Sequence, residues 1–140
     1  MEFIEFIKYA AAMIGGTLAY VFGGWDGLLI VLVTFMAIDY TTGVMCAILE
    51  KSLSSEVGFR GLCRKVLILL LVGVGHLLDV AGLGGGAALR TAVIAFYTAN
   101  EGVSIIENAA RLGLPIPAKL RKALAQLKEK TEEDGDDVDQ

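Results

Sequence analysis

Four stretches of apolar residues alternate with short polar or basic connections along the chain. They fall near residues 9–25 (YAAAMIGGTLAYVFGGW), 27–49 (GLLIVLVTFMAIDYTTGVMCAIL), 66–83 (VLILLLVGVGHLLDVAGL) and 88–110. A helix rises about 1.5 Å per residue, so roughly 20 apolar residues cross the hydrocarbon of a bilayer. The pattern predicts an all-α membrane protein with about four transmembrane helices in residues 1–112. The first stretch is the weakest, short and rich in Gly and Ala; if it lies in the interface, three spans remain.

Beyond the fourth stretch, Pro115 and Pro117 in LGLPIP forbid continuous helix. Within 113–130, AKLRKALAQLKEK places Leu120, Leu124 and Leu127 on one face with basic residues around them. This predicts a cytoplasmic amphipathic helix able to lie on anionic lipid or pack on a neighbour. The last ten residues, TEEDGDDVDQ, have the composition of a disordered tail.

Composition agrees with a membrane body: 55% of residues are hydrophobic and the mean hydropathy is +0.63. The formal charge of −4 belongs to the tail, which holds six of the sixteen acids and no base. Bases set the orientation. The GWDG connection has none and the Gly-rich one only Arg90, whereas EKSLSSEVGFRGLCRK has Lys51, Arg60, Arg64 and Lys65. Six more lie between Arg111 and Lys130. With four spans, both ends are cytoplasmic. The start, MEFIEFIK, does not look like a cleavable signal peptide. Cys46 and Cys63, the latter beside Arg64 and Lys65, suit a reducing compartment rather than a disulfide framework.

The polar residues inside the apolar stretches are the informative ones. Asp39 sits mid-span, where an acid costs about 2.5–3.5 kcal/mol on insertion scales, so it should face helices or water. Asp39, Thr42, Gly43 and Cys46 follow an i, i+3, i+4, i+7 pattern and share one face. In the third stretch Gly73, His76 and Asp79 align, and His76 could pair with Asp79. The fourth carries Tyr97, Asn100, Glu101, Ser104, Glu107, Asn108 and Arg111 as a broad polar stripe. Such a helix lines water or packs on polar partners; its blander reading is a solvated helix beside the membrane. Asp39 and the His76–Asp79 pair have a bland reading too, as contacts that only hold helices together. Arg60, Arg64, Lys65, Lys119, Arg121 and Lys122 read as the basic residues flanking the membrane.

Nothing points to an enzyme. No G-x-S-x-G, P-loop or metal spacing occurs, and a single histidine limits acid–base schemes. No cofactor, metal or nucleic-acid partner is expected.

Several segments carry a family resemblance. DYTTG at 39–43, GFRGLCRK at 58–65, HLLD at 76–79 and NEGVSIIENAARLGLPIPAKLRKAL at 100–124 resemble the phage-lysis and toxin-secretion holin family. The resemblance covers about residues 35–125 in order, and NExxSIxENAxxxGxPIP is its specific part. That family includes holins of phages of Gram-positive hosts and the clostridial toxin-export holin. The resemblance implies a homo-oligomer in the bacterial cytoplasmic membrane, in contact with its lipids. It implies a lesion that releases an endolysin or toxin, with an antiholin as a further partner. Competing readings are a small ion channel or transporter subunit, with Asp39, His76, Asp79 and Glu101 as a proton or ion path, and an antiholin-type regulator. An internal start at Met13 would remove Glu2, Glu5 and Lys8 and supply such a regulator.

Overall fold

The computed structural model describes residues 2–123, 125, 126 and 129. They form four long helices: α1 (Glu2–Phe22), α2 (Gly27–Leu49), α3 (Ser55–Val80) and α4 (Ala88–Arg111). Among the described residues α1, α2 and α3 are long and apolar enough to cross a membrane, and no strand occurs. The molecule is an all-α membrane protein.

Local chemistry explains the helix starts. Asp26 caps α2 by accepting the Leu29 N–H at 2.9 Å, and Ser54 caps α3 by accepting the Val57 N–H at 3.2 Å. The Ser54 cap and an Arg60–Glu56 pair one turn apart start α3 eleven residues before the apolar stretch at 66. Much of the expected basic loop is therefore helix.

α2 and α4 run parallel and α3 runs against both. Contacts fix this register along the whole length. Asp26 meets Arg90 at one end of α2, Asp39 and Thr42 meet Asn108 further along, and Glu50 meets Arg111 at the other end. α4 touches both α2 and α3 far more than those two touch each other.

Each of the three helices presents a seam of alternating three- and four-residue steps. The seams are Leu29, Leu32, Met36, Asp39, Gly43, Cys46 on α2; Gly61, Lys65, Ile68, Val72, Gly75, Asp79 on α3; and Arg90, Ile94, Tyr97, Glu101, Ser104, Asn108 on α4. Every one of these residues is buried or half-buried. That spacing is the one that keeps a side-chain row facing a near-parallel neighbour. Leu29, Leu32, Met36, Ile68, Val72 and Ile94 form an apolar core at one end, and the seams turn polar toward the other.

α1 stands apart. It has no buried residue and is held by its C-terminal end, where Val21 and Phe22 lie against Gly73 of α3 and the Phe22 carbonyl meets Arg90 of α4. After α4, residues 114–117 are irregular and 118–123 are helical, with Lys119, Arg121 and Lys122 exposed. Leu124 and Leu127 of the expected apolar face, and the acidic tail 131–140, lie outside the described residues.

Candidate functional site in the bundle interior

The polar half of the bundle is organised around one ammonium group. Lys65 Nζ lies 2.5 Å from Asp39 Oδ2 and also donates to Glu101 Oε2, so α3 holds one carboxylate from α2 and one from α4. The side chains of Lys65, Asp39 and Glu101 are 14%, 17% and 9% exposed. Read from the sequence, Lys65 belongs with the basic residues flanking the membrane. The α3 seam turns it inward instead, because Lys65 stands three residues before buried Ile68 and four after half-buried Gly61. The spacing 61, 65, 68, 72 is the signal that places it.

Asn108 completes the network. Its Nδ2 donates to the Asp39 backbone carbonyl (3.3 Å), Asp39 Oδ1 (3.2 Å) and Thr42 Oγ1 (3.0 Å). Thr42 in turn donates to the Ile38 carbonyl at 2.9 Å, and the Cys46 thiol donates to the Asn108 carbonyl at 3.4 Å. Gly43 lies beside this contact, and a Cβ there would stand at ordinary contact distance, 3.7 Å, from Asn108 Nδ2. Two carboxylates on one ammonium leave an excess negative charge, softened by the Asn108 amide. Removing one member of such a buried set is more damaging than neutralising the whole set.

Three residues of the α4 stripe stay outside this network. Asn100 and Ser104 are half-buried and Glu107 is exposed; none makes a side-chain hydrogen bond among the described residues. Ser104 and Glu107 line two clefts, of about 270 and 560 Å³, that share Glu101, and Asn100 lines the second. Arg60 pairs only with Glu56 on its own helix, and Arg64 is exposed.

His76 and Asp79 do not pair. Both Asp79 oxygens are taken by α4, accepting the Leu89 N–H at 3.0 Å and the Arg90 N–H at 2.8 Å. α4 lacks a cap of its own, because Ala87 offers no acceptor, and the acid on α3 supplies one. His76 instead sits edge-on to Tyr20, with ring centroids 6.5 Å apart.

A second charged cluster escapes sequence reading. The Arg90 side chain, 6% exposed, donates to Phe22 O (2.6 Å), Gly24 O (3.1 Å) and Asp26 Oδ2 (2.6 Å). It thereby closes the turn between α1 and α2 from the start of α4. The Arg90 guanidinium, helped by the Leu29 N–H, holds the Asp26 carboxyl below the ordinary carboxylate value. Gly23 (φ +77°) has to be glycine here, as a Cβ would meet His76 Nδ1 at 2.6 Å and Arg90 Nε at 2.8 Å. Sequence reading treats Asp26 only as part of the GWDG connection, and its partner lies 64 residues away.

A charged interior spread over three helices narrows the field to membrane proteins whose helices carry polar faces for assembly or transport. Residues 16–129 match the bacteriophage holin family. The chain belongs to this family. A protein named probable holin from Bacillus phage phi105 is 40% identical over 121 residues, covering 83% of this chain and 87% of that one. An uncharacterized 14.9 kDa protein of Clostridium perfringens is 43% identical over 127 residues, 91% of this chain and 96% of the relative. An uncharacterized protein of Listeria monocytogenes is 38% identical over 128 residues, 91% of each chain. No solved structure matches the chain. For a holin, the charged seam belongs to a membrane-embedded protein, and Asp39, Glu101 and Asn108 all fall within the matched segment.

Proposed function

We propose that this holin accumulates in the bacterial cytoplasmic membrane, oligomerises, and opens a lesion through which an endolysin or a toxin leaves the cytoplasm. The observation that carries the reading is the Asp39–Lys65–Glu101 cluster, in which two carboxylates share one ammonium inside a single chain. Unpaired, each would cost about 2.5–3.5 kcal/mol at the membrane centre. Paired, they let the chain sit in lipid without opening it. A water-lined wall gives the same groups an alternative set of partners, so the seams of α2, α3 and α4 have two arrangements of comparable energy. Lysis follows when enough copies are present for the second to win.

In this reading α4 crosses the membrane with α1, α2 and α3, shielded by α2 and α3. Both ends of the chain then face the cytoplasm, where Arg60, Lys119, Arg121 and Lys122 meet anionic headgroups. The protein works without catalysis and needs no cofactor.

The charged clefts beside Glu101 favour one alternative, a narrow ion-conducting subunit. Lesion size separates the two. Inducing the protein in cells that hold a cytoplasmic fluorescent protein of tens of kilodaltons should release that protein from wall-free spheroplasts. Retention of the protein while small ions leak would favour the channel.

A further inference from the structure

Arg64 and Glu107 stay outside every ion pair among the described residues, yet both line the two clefts that share Glu101. The register of α3 and α4 turns their charged ends toward each other. Gly75 packs against the backbone of Leu89 and Arg90, and Lys65 meets Glu101, so the start of α3 lies beside the end of α4. A helical side chain leans toward the N-terminus of its own helix. Arg64 therefore leans toward the level of Glu107, and Glu107 leans back toward Arg64.

The larger cleft, about 560 Å³, lies between α3 and α4 and changes character along its length. Arg64, Glu107, Ser104 and Asn100 line the part nearer the end of α4, and Leu67, Leu71 and Tyr97 the part nearer the middle of the bundle. Such a cleft suits an amphipathic occupant with one charge of each sign at its polar end. A purely anionic headgroup drawn to Arg64 would meet Glu107, beside a Lys65 cluster that already holds an excess negative charge. A lone cation drawn to Glu107 would meet Arg64 and leave the apolar part empty.

We propose that this cleft binds one zwitterionic aminophospholipid of the phosphatidylethanolamine class, its phosphate on Arg64 and its ammonium on Glu107. Both contacts are charge-assisted hydrogen bonds, and together they give a partner to two charges that lipid tails cannot solvate. The half-buried Asn100 and Ser104, one turn apart on α4, offer donors to the glycerol ester carbonyls. An acyl chain follows Leu67 and Leu71 toward the membrane centre. The site rests on α4 lying in the bilayer, as read above, and on nothing of the lesion, so lipid binding and lysis can fail separately.

The test titrates the full chain, delipidated in mild detergent, with dioleoyl lipids of three headgroups under native mass spectrometry. Phosphatidylethanolamine should bind at one copy per chain, at least tenfold more tightly than phosphatidylglycerol or phosphatidylcholine. Its mono- and dimethyl forms keep the charge and lose N–H donors, so they should bind progressively more weakly. Glu107→Gln should bring phosphatidylglycerol to within about twofold of phosphatidylethanolamine, and Arg64→Gln should weaken phosphatidylethanolamine at least tenfold. Both positions are exposed, and the methylation series on wild type decides if either variant falls short of wild-type helical content. Equal binding of the three lipids overturns the site, leaving annular contact alone. So does a preference for phosphatidylglycerol, selectivity unchanged by Glu107→Gln, or free phosphoethanolamine competing at the lipid's own concentration, which would leave the apolar part unused. An impermeant maleimide, applied in vesicles to a Cys63→Ser chain carrying Ala95→Cys at an exposed α4 position, reads the placement of α4 by itself. Protection with failed selectivity overturns the lipid site alone, whereas labelling overturns the site together with the membrane placement of α4.

Discussion

Lys65 of α3 binds Asp39 of α2 at 2.5 Å, with both side chains less than one-fifth exposed. Because Lys65 also holds Glu101, this contact ties three helices together at one level. The parallel pair α2 and α4, which would otherwise set two acids near each other, depends on the lysine between them.

Lys65→Met should therefore destabilise the bundle by about 3–5 kcal/mol, the range for breaking a buried ion set from one side. Adding Asp39→Asn and Glu101→Gln to Lys65→Met should restore most of the loss, since no uncompensated charge is left. Loss of helical signal in an SDS titration of the purified protein reads both effects. Equal stability of the single and triple variants would show that the carboxylates do not need the lysine.

Asn108→Ala removes the donor to Asp39 and Thr42 and leaves the backbone carbonyl that Cys46 meets. The expected cost is about 1–2 kcal/mol, the upper range for hydrogen bonds between membrane helices. Gly43→Ala, whose Cβ would only reach ordinary contact distance, should cost less. The same titration compares them.

Much of the helical layout is readable from apolar stretches, because 27–49 and 88–110 are apolar almost to where α2 and α4 begin and end. α3 is longer than its apolar stretch, since the bases at 60, 64 and 65 suggest a loop while the Ser54 cap and the Glu56–Arg60 pair make helix. The shared face of Asp39, Thr42 and Cys46 was legible from period alone, and so was a polar α4. Which polar group meets which was not. Asp79 and His76 have the right spacing to pair on one helix, but two unsatisfied N–H groups at the start of α4 are better partners for a carboxylate. Such choices depend on the neighbouring helix, which no local pattern contains.

Asp79→Ala should cost about 1–2 kcal/mol by uncapping α4. His76→Ala should alter stability through Tyr20 packing alone, with an effect independent of the residue at 79. A double-mutant cycle between the two positions measures this, with coupling near zero as the expected result. Coupling above about 1 kcal/mol would restore the direct pair.

Acid should loosen the turn between α1 and α2. The Asp26 carboxyl is held below its ordinary value of 3.8 by Arg90, so the folded state favours its ionised form. That stabilisation is present above the ordinary value and fades as pH falls through the lowered one. Asp26→Asn should unfold more easily than wild type near pH 6, and the gap should close below about pH 4. A gap that does not narrow as pH falls below the ordinary value would mean that the charge is not what matters. Asp26 is nearly half exposed, so the effect should be small and weaken in salt.

Glu101→Leu combined with Glu107→Leu should leave membrane insertion intact and abolish or retime lysis, as it removes one acid from the Lys65 cluster and the other from the outer cleft. Membrane fractionation and a lysis time course separate insertion from timing. Unchanged timing would remove the α4 stripe from the mechanism.

The central claim is that this chain opens a lesion large enough for a cell-wall enzyme. Inducible expression in a bacterium with and without a cytoplasmic endolysin tests it directly, by following viability and culture density together. The account predicts an abrupt loss of viability in both strains, with density collapsing only where endolysin is present. Loss of viability with no fall in density in the endolysin strain would contradict it, and would leave only a path for ions.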